Sequence, residues 1–318
     1  MTAYIFRRIL QTIPVLVLTS FCVFLLLHLV PGDPALVLAG TDATADVIEA
    51  VRKDLGLDQP LPIQYLKWVE HVLRGDLGKS YVTKLPTWDL IMLKLPATLE
   101  LTVTAFVLAL LIAVPTGILA AVRQRRPTDL AISTFTAVGL AVPNFWVGIL
   151  FILLFALALG WLPPGGRVEF GRAPLLALKH LILPALTLAI PQSAIFSRFL
   201  RAAVVDVSQE DYVRTARAKG VRERLVVSRH VVRNALIPVV TVLGMHFGRL
   251  LGGAVIIESV FAWPGVGRLM LQAIGDRDYT VVQGGLLLLV STFVLINLLT
   301  DLSYGFLDPR IRLARGRG

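Results

Sequence analysis

The sequence predicts an all-α membrane protein with six transmembrane helices and both termini on the cytoplasmic side. Three observations carry that prediction. First, 56% of the 318 residues are hydrophobic and 16% charged, with a mean hydropathy of +0.75. A soluble domain carries charge on about a quarter of its residues. Second, several apolar stretches reach the ~20 residues that a spanning helix needs. Third, Lys and Arg gather in alternate loops, which distinguishes one side of the membrane from the other.

The expected spans occupy residues 9–30, 97–122, 131–159, 178–200, 236–258 and 281–305. The first begins after Arg7-Arg8 and so imitates a signal peptide. Its apolar run is too long for a signal core, and Val30-Pro31-Gly32-Asp33 follows in place of a small-residue cleavage site. It is therefore read as an anchor. Cys22 is the sole cysteine, which excludes an intrachain disulfide. It reads as a small apolar residue within a span.

Charge sets the expected topology. Arg7 and Arg8 precede span one, and Arg123, Arg125 and Arg126 follow span two. Arg201, Arg214, Arg217, Lys219, Arg222, Arg224, Arg229 and Arg233 lie between spans four and five, and Arg310, Arg312, Arg315 and Arg317 close the chain. The intervening loops are balanced or sparse. The basic loops then face the cytoplasm. The net charge of +10 is mostly this topology signal. It is divided among short loops facing anionic lipid, which argues against a nucleic-acid partner.

The expected organisation is a tail and first span at 1–30, an extracytoplasmic helical cap at 31–96, and a core of five spans at 97–318. The cap shows Val47, Val51 and Leu55 at helical spacing, the turn Gly56-Leu57-Asp58-Gln59-Pro60, and a second amphipathic stretch at 63–73. It is too short for a large core of its own. Gly75-Asp76-Leu77-Gly78-Lys79-Ser80 imitates a phosphate loop, but Leu73 stands where the first glycine belongs and no apolar strand precedes it. Gly265-Val266-Gly267 lacks the third glycine of a dinucleotide fingerprint. No HExxH, GxSxG or paired-cysteine pattern occurs, so no catalytic, metal or cofactor site is expected on this chain.

The inner segment, 201–234, reads as two short helices broken at Gly220, where glycine reverses the chain without a Cβ penalty. Tyr212, Ala216 and Lys219 share one helical face. The small Ala216 and Ala218 suit a groove on another protein. A basic helix lying on lipid is the alternative from the residues alone.

At this segment the sequence resembles a known family. Glu210-Asp211-Tyr212-Val213-Arg214-Thr215-Ala216-Arg217-Ala218-Lys219-Gly220 is similar to the EAA loop of ABC-importer permeases. The match is closer to the B-type subunits of the dipeptide/oligopeptide (nickel) branch, and it extends over nearly the whole chain. Pro31-Gly32-Asp33-Pro34, Gly56-Leu57-Asp58-Gln59-Pro60, Gly75-Asp76-Leu77-Gly78, Pro143-Asn144-Phe145-Trp146, Trp263-Pro264-Gly265-Val266-Gly267, Arg277-Asp278-Tyr279 and Asp308-Pro309-Arg310 occur in the family's order. Two departures stand out. Arg214-Thr215-Ala216 replaces the general Glu-Ala-Ala, and Asn234-Ala235-Leu236-Ile237-Pro238 replaces the terminal Ile-x-Leu-Pro.

The resemblance implies a type I ABC-importer permease fold and a subunit without hydrolytic activity. A second, C-type permease would complete the translocation path. Two ATP-binding subunits would hold ATP and Mg and receive the coupling helix, and an extracytoplasmic binding protein would deliver peptide. Nickel chelates, glutathione or oligosaccharides are alternative cargoes. A self-powered secondary transporter is the reading from another class; no clear internal repeat supports it. The expected coupling residues are Tyr212, Arg214, Thr215, Ala216, Arg217, Ala218, Lys219 and Gly220.

Span five adds further candidates. Gly244, Gly248 and Gly252 recur every fourth residue, a face for close packing on the second permease or a neighbouring span. His246 and Arg249 lie well inside the apolar run. A charge at bilayer depth costs ~2.5–3.5 kcal/mol on insertion scales, so it should face a wet cavity or a partner. Arg249 would meet a substrate carboxylate or pair with the partner permease. Asn144 and Asn297 are weaker path candidates, and Asp301 belongs near the inner interface. Pro264, Gly265 and Gly267 suggest a re-entrant or gate-like loop, or an ordinary surface turn.

Overall fold

Among the described residues, five helices are long and apolar enough to cross a bilayer, and a bent pair supplies a sixth crossing if it counts as one span. The computed structural model describes residues 2–29, 34–39, 43–54 and 56–307. The expectations for Pro31, Gly32, Asp33, Leu55, Asp308, Pro309, Arg310, Arg312, Arg315 and Arg317 lie outside the described residues.

The first crossing is α1 (Thr2–Leu29). Three short helices follow, α2 (Pro34–Ala39), α3 (Ala45–Asp54) and α4 (Leu61–Leu73). Helix α4 buries no residue fully and leans on α1. Tyr65 of α4 hydrogen-bonds Ser20 at 2.8 Å, and its ring meets Phe21 and Phe24 edge-on.

The core is α5 (Thr87–Val122), α8 (Pro174–Ser208) and α11 (Arg233–Val260). On α5, Ala97, Leu101, Ala105, Ala109 and Ala113 recur every fourth residue, and none is more than 3% exposed. Small side chains in that register let the α5 backbone approach α8 closely. A Cβ at Gly117, the next position, would meet Leu200 of α8 at 3.1 Å. Leu181 and Leu188 of α8 and Leu250 and Ile257 of α11 complete this layer.

Between α5 and α8 the chain does not form the continuous span expected at 131–159. Helices α6 (Pro127–Ala141) and α7 (Asn144–Phe151) meet at 101°. Pro143 lacks an amide proton and disfavours helix in the residue before it. Val142 is accordingly extended, at φ −89 and ψ 129. Helix α7 runs on into a π-helical stretch, Ile152–Ala158. Asp129 joins the start of α6 to α8 by accepting from Arg201 Nε at 2.7 Å and Nη2 at 2.8 Å.

After α8 come α9 (Asp211–Ala218) and α10 (Glu223–Leu225), which passes through a π-helical stretch, Val226–Val232, into α11. Helix α12 (Val266–Gly275) then turns back against the core before the last crossing, α13 (Tyr279–Leu307). The start of α1 sits beside the end of α13, where Arg8 and Asp301 pair at 2.9 Å.

Two motifs of the sequence form one joint. Asp278 is 3% exposed. Its carboxylate accepts from the Ser80 hydroxyl at 2.5 Å and the Tyr81 amide at 3.1 Å. The phosphate-loop imitation is thus a closed turn docked on the α12–α13 junction. A Cβ on Gly78, at φ 79, would strike the Thr280 side chain at 2.8 Å.

Candidate functional site

Helix α9 has an inward and an outward face. Val213 is fully buried and Ala216 is 8% exposed. Both belong to a buried cluster with Leu200 and Val204 of α8, Val226 and Val231 of the π-helical stretch, and Ala235 and Val239 of α11, in which α9 lies against the π-helical stretch and α8. Ala216 therefore lies inward, apart from the outward face where it was expected beside Tyr212. It sits one helical turn from Val213, the only large aliphatic residue in α9. Arg214, Thr215, Arg217, Ala218 and Lys219 are exposed, and Tyr212 is 44% exposed.

The outward side chains are tied locally. Asn234 Nδ2 donates to the Tyr212 hydroxyl at 2.9 Å and to the His230 carbonyl at 2.9 Å. Arg217 donates to Glu223 at 2.9 and 3.2 Å and to the Ser208 carbonyl at 3.3 Å. The hydrogen bond from Arg217 holds the Glu223 carboxyl below its usual range. The same bond raises the Arg217 guanidinium. Arg214 reaches only Asp211, at 3.4 Å, and both are well exposed, so this pair contributes little. Thr215 caps back onto the Asp211 carbonyl at 2.9 Å.

The end of α9 closes as a Schellman motif. The Gly220 amide donates to Arg217 O at 2.9 Å and the Val221 amide to Ala216 O at 3.3 Å. Gly220 has φ 77, which a side chain would make costly.

On α11 the glycine stripe divides. A Cβ on Gly244 would overlap Thr300 of α13, and one on Gly248 would meet Phe293 of α13 at 2.6 Å. Gly252 has nothing within 4 Å. Two glycines thus serve the chain's own last span. Gly252 belongs instead to an exposed stripe with Met245, Arg249 and Ile256. Among the described residues the Arg249 guanidinium makes no hydrogen bond or ion pair. His246 faces α8, its ring 5.7 Å from that of Phe196, and its Nδ1 has no hydrogen-bond partner among the described residues.

The remaining path candidates do not converge with these two. Asn297 falls between Phe293 and Thr300 on α13, the side turned toward Gly244 and Gly248. Asn144 opens α7 at the break and is half-buried. Asp301 is committed to Arg8.

The segment holding Pro264, Gly265 and Gly267 is folded inward. Trp263 is fully buried and its Nε1 donates to Ala97 O at 2.8 Å. Glu258, also fully buried, accepts from the Thr98 hydroxyl at 2.6 Å and the Arg268 amide at 3.0 Å. Thr98 in turn accepts from the Val266 amide at 2.8 Å. A Cβ on Gly265 would overlap the Glu258 carboxylate, and one on Gly267 would meet Val255 Cα at 2.5 Å. The Glu258–Thr98 pair was not anticipated from sequence. Its one signal was a lone Glu ending an apolar run just before Trp263-Pro264-Gly265.

The family described as "Binding-protein-dependent transport system inner membrane component" matches residues 113–313, and its N-terminal counterpart matches residues 1–102. The chain belongs to this permease family. "Glutathione transport system permease protein GsiC" of Pectobacterium atrosepticum is 47% identical, covering 98% of this chain and 99% of that one. The protein of the same name from Escherichia coli is 45% identical over the same shares. Among solved structures, "Inward facing conformations of the MetNI methionine ABC transporter" aligns with 69% of this chain and 96% of that chain, at TM-score 0.58 and 18% identity. That likeness is one of fold. The permease is thus a multi-pass inner-membrane transport subunit of an ABC importer, in the dipeptide/oligopeptide branch.

Proposed function

We propose that this permease forms half of a path for small peptides of the glutathione class, and that α9 is the part an ATP-binding subunit moves. The observation that carries this reading is the two-faced α9. Val213 and Ala216 hold it to α8 and to the π-helical stretch that leads into α11, while Arg214, Ala218 and Lys219 stay outward. A helix held on one side and free on the other transmits displacement into the spans it is held to.

In this reading α9, both termini and the Arg123–Arg126 turn are cytoplasmic. Two ATP-binding subunits hold ATP and Mg, and hydrolysis takes place there. A C-type permease completes the path along the α11 stripe of Met245, Arg249, Gly252 and Ile256, where Arg249 meets a peptide carboxylate. An extracytoplasmic binding protein delivers substrate near the Trp263–Gly267 segment, which acts as the outer gate. The relatives' names support the cargo class, and the exposed Arg249 suits an anionic peptide.

The test is reconstitution with the second permease, the ATP-binding subunits and the binding protein. Glutathione is expected to stimulate ATP hydrolysis, and Ala218→Trp to abolish the stimulation while the complex stays folded. Equal stimulation in Ala218→Trp would refute the coupling role. Stimulation by nickel chelates or oligosaccharides but not glutathione would refute the cargo.

A further inference from the structure

A cavity of about 260 Å³ opens between α6 and α8, lined by Ile132, Ser133, Thr136, Ser197, Arg198 and Arg201. Five of its six lining residues carry a hydroxyl or a guanidinium. Most of these groups are already engaged, Ser133 among them, whose hydroxyl donates to Asp129 at 3.4 Å. Arg201 is committed to Asp129 through two hydrogen bonds, and Asp129 takes a third from the Arg125 amide at 2.9 Å. Thr136 donates to the Ser133 carbonyl at 2.9 Å.

One group is unspent. Arg198 is exposed, and among the described residues its guanidinium makes no hydrogen bond or ion pair. Ser197, only 2% exposed, is spent on Thr116 at 3.1 Å: Thr116 gives its one hydroxyl proton to the Ile112 carbonyl at 2.7 Å, so Ser197 is the donor in that pair. Counting Asp129 against the two arginines, the lining keeps one net positive charge.

Depth fixes what can reach it. The α6 start, the Asp129–Arg201 pair and the Arg123–Arg126 turn mark the basic end of the bundle. Arg198 lies one turn of α8 deeper than Arg201, ~4.5 Å along the axis. A guanidinium there reaches head-group level by extending its aliphatic stem. Basic pockets between spans on the cytoplasmic side suit lipid phosphates.

We infer that the α6–α8 cavity binds a phosphate group at the level of the inner leaflet, with Arg198 as its charge partner. Two sources share that chemistry, the head group of an anionic phospholipid and free inorganic phosphate. Bound there, the phosphate joins α6 to α8 beside the Asp129–Arg201 pair and braces the two against sliding.

The test uses the whole importer complex in nanodiscs of phosphatidylcholine with or without phosphatidylglycerol. Retained lipid is counted by native mass spectrometry after release into detergent. Arg198→Gln is expected to weaken phosphatidylglycerol retention about tenfold, the ratio for one lost charge-assisted contact. Arg198→Lys should keep most of it. Arg172→Gln, the same charge change at the opposite end of α8, should leave it unchanged. Displacement of the lipid by inorganic phosphate alone would support the phosphate site and assign it to the soluble source. Equal retention in wild type and Arg198→Gln, or equal losses in Arg198→Gln and Arg172→Gln, would overturn the proposal. So would association of neither phosphatidylglycerol nor inorganic phosphate with the folded complex.

Discussion

The Ser80 hydroxyl reaches the Asp278 carboxylate at 2.5 Å, across 198 positions of chain. The residue that sequence places in a phosphate-loop imitation therefore spends its hydroxyl on the chain's own acid. Asp278→Ala strands that hydroxyl and the Tyr81 amide in a buried joint. A loss of about 2–3 kcal/mol is expected, and Ser80→Ala should lose about 1 kcal/mol. Thermal unfolding of the purified complex measures both. An unchanged Tm in Asp278→Ala would show that the joint is not structural.

The segment after α11 allows an internally controlled glycine test. Gly265→Ala drives a methyl group into the Glu258 carboxylate and should cost about 1–3 kcal/mol through overpacking. Substrate-stimulated ATP hydrolysis should fall with it. Gly275→Ala, where nothing lies within 4 Å, should leave both unchanged or slightly improve stability. Equal behaviour of the two variants would mean that the Trp263–Gly267 segment yields freely.

Helix α9 predicts a separation of stability from coupling. Ala216→Leu overfills the layer formed with Val204 and Val239 and should lower stability by about 1–3 kcal/mol. Ala218→Leu, on the exposed face, should leave Tm unchanged yet reduce stimulated hydrolysis. Normal coupling in Ala218→Leu would remove the outward face from the contact.

The Glu223 carboxyl titrates below its ordinary value of 4.5 because Arg217 donates to it. Its contribution to holding the loop is complete above that ordinary value. It is lost as pH falls through the lowered one. Both side chains are more than a third exposed, so the pair is worth at most about 1 kcal/mol. At neutral pH, Glu223→Gln should speed hydrogen exchange of the α9 amides modestly. In strong acid, wild type and variant should exchange alike. A difference that persists there would assign the effect to another group.

Apolar length made the spans legible, because a bilayer demands long uninterrupted runs. The break at Pro143 was less so, since apolar residues run on both sides of it and Pro115, Pro184 and Pro191 sit inside unbroken helices, so a proline alone does not announce a bend of 101°. Gly220 was legible because a left-handed position selects glycine. The orientation of Ala216 was not, because the choice rested on spacing from Tyr212 and overlooked Val213. Periodicity exposed the stripe of Gly244, Gly248 and Gly252, but only packing shows that α13 occupies two of them. The Glu258–Thr98 contact spans 160 positions, and no local pattern encodes such a pair.

The exit of α9 has further mechanical meaning. Its last carbonyls are spent on Gly220 and Val221, and Asn234 of α11 grips Tyr212 near its start. Neither end has slack. Val213 and Ala216, meanwhile, bear on α8 and on the π-helical stretch that runs into α11. A stroke applied to such a helix would not be taken up in the loop. It would carry α8 and the start of α11 with it as one unit.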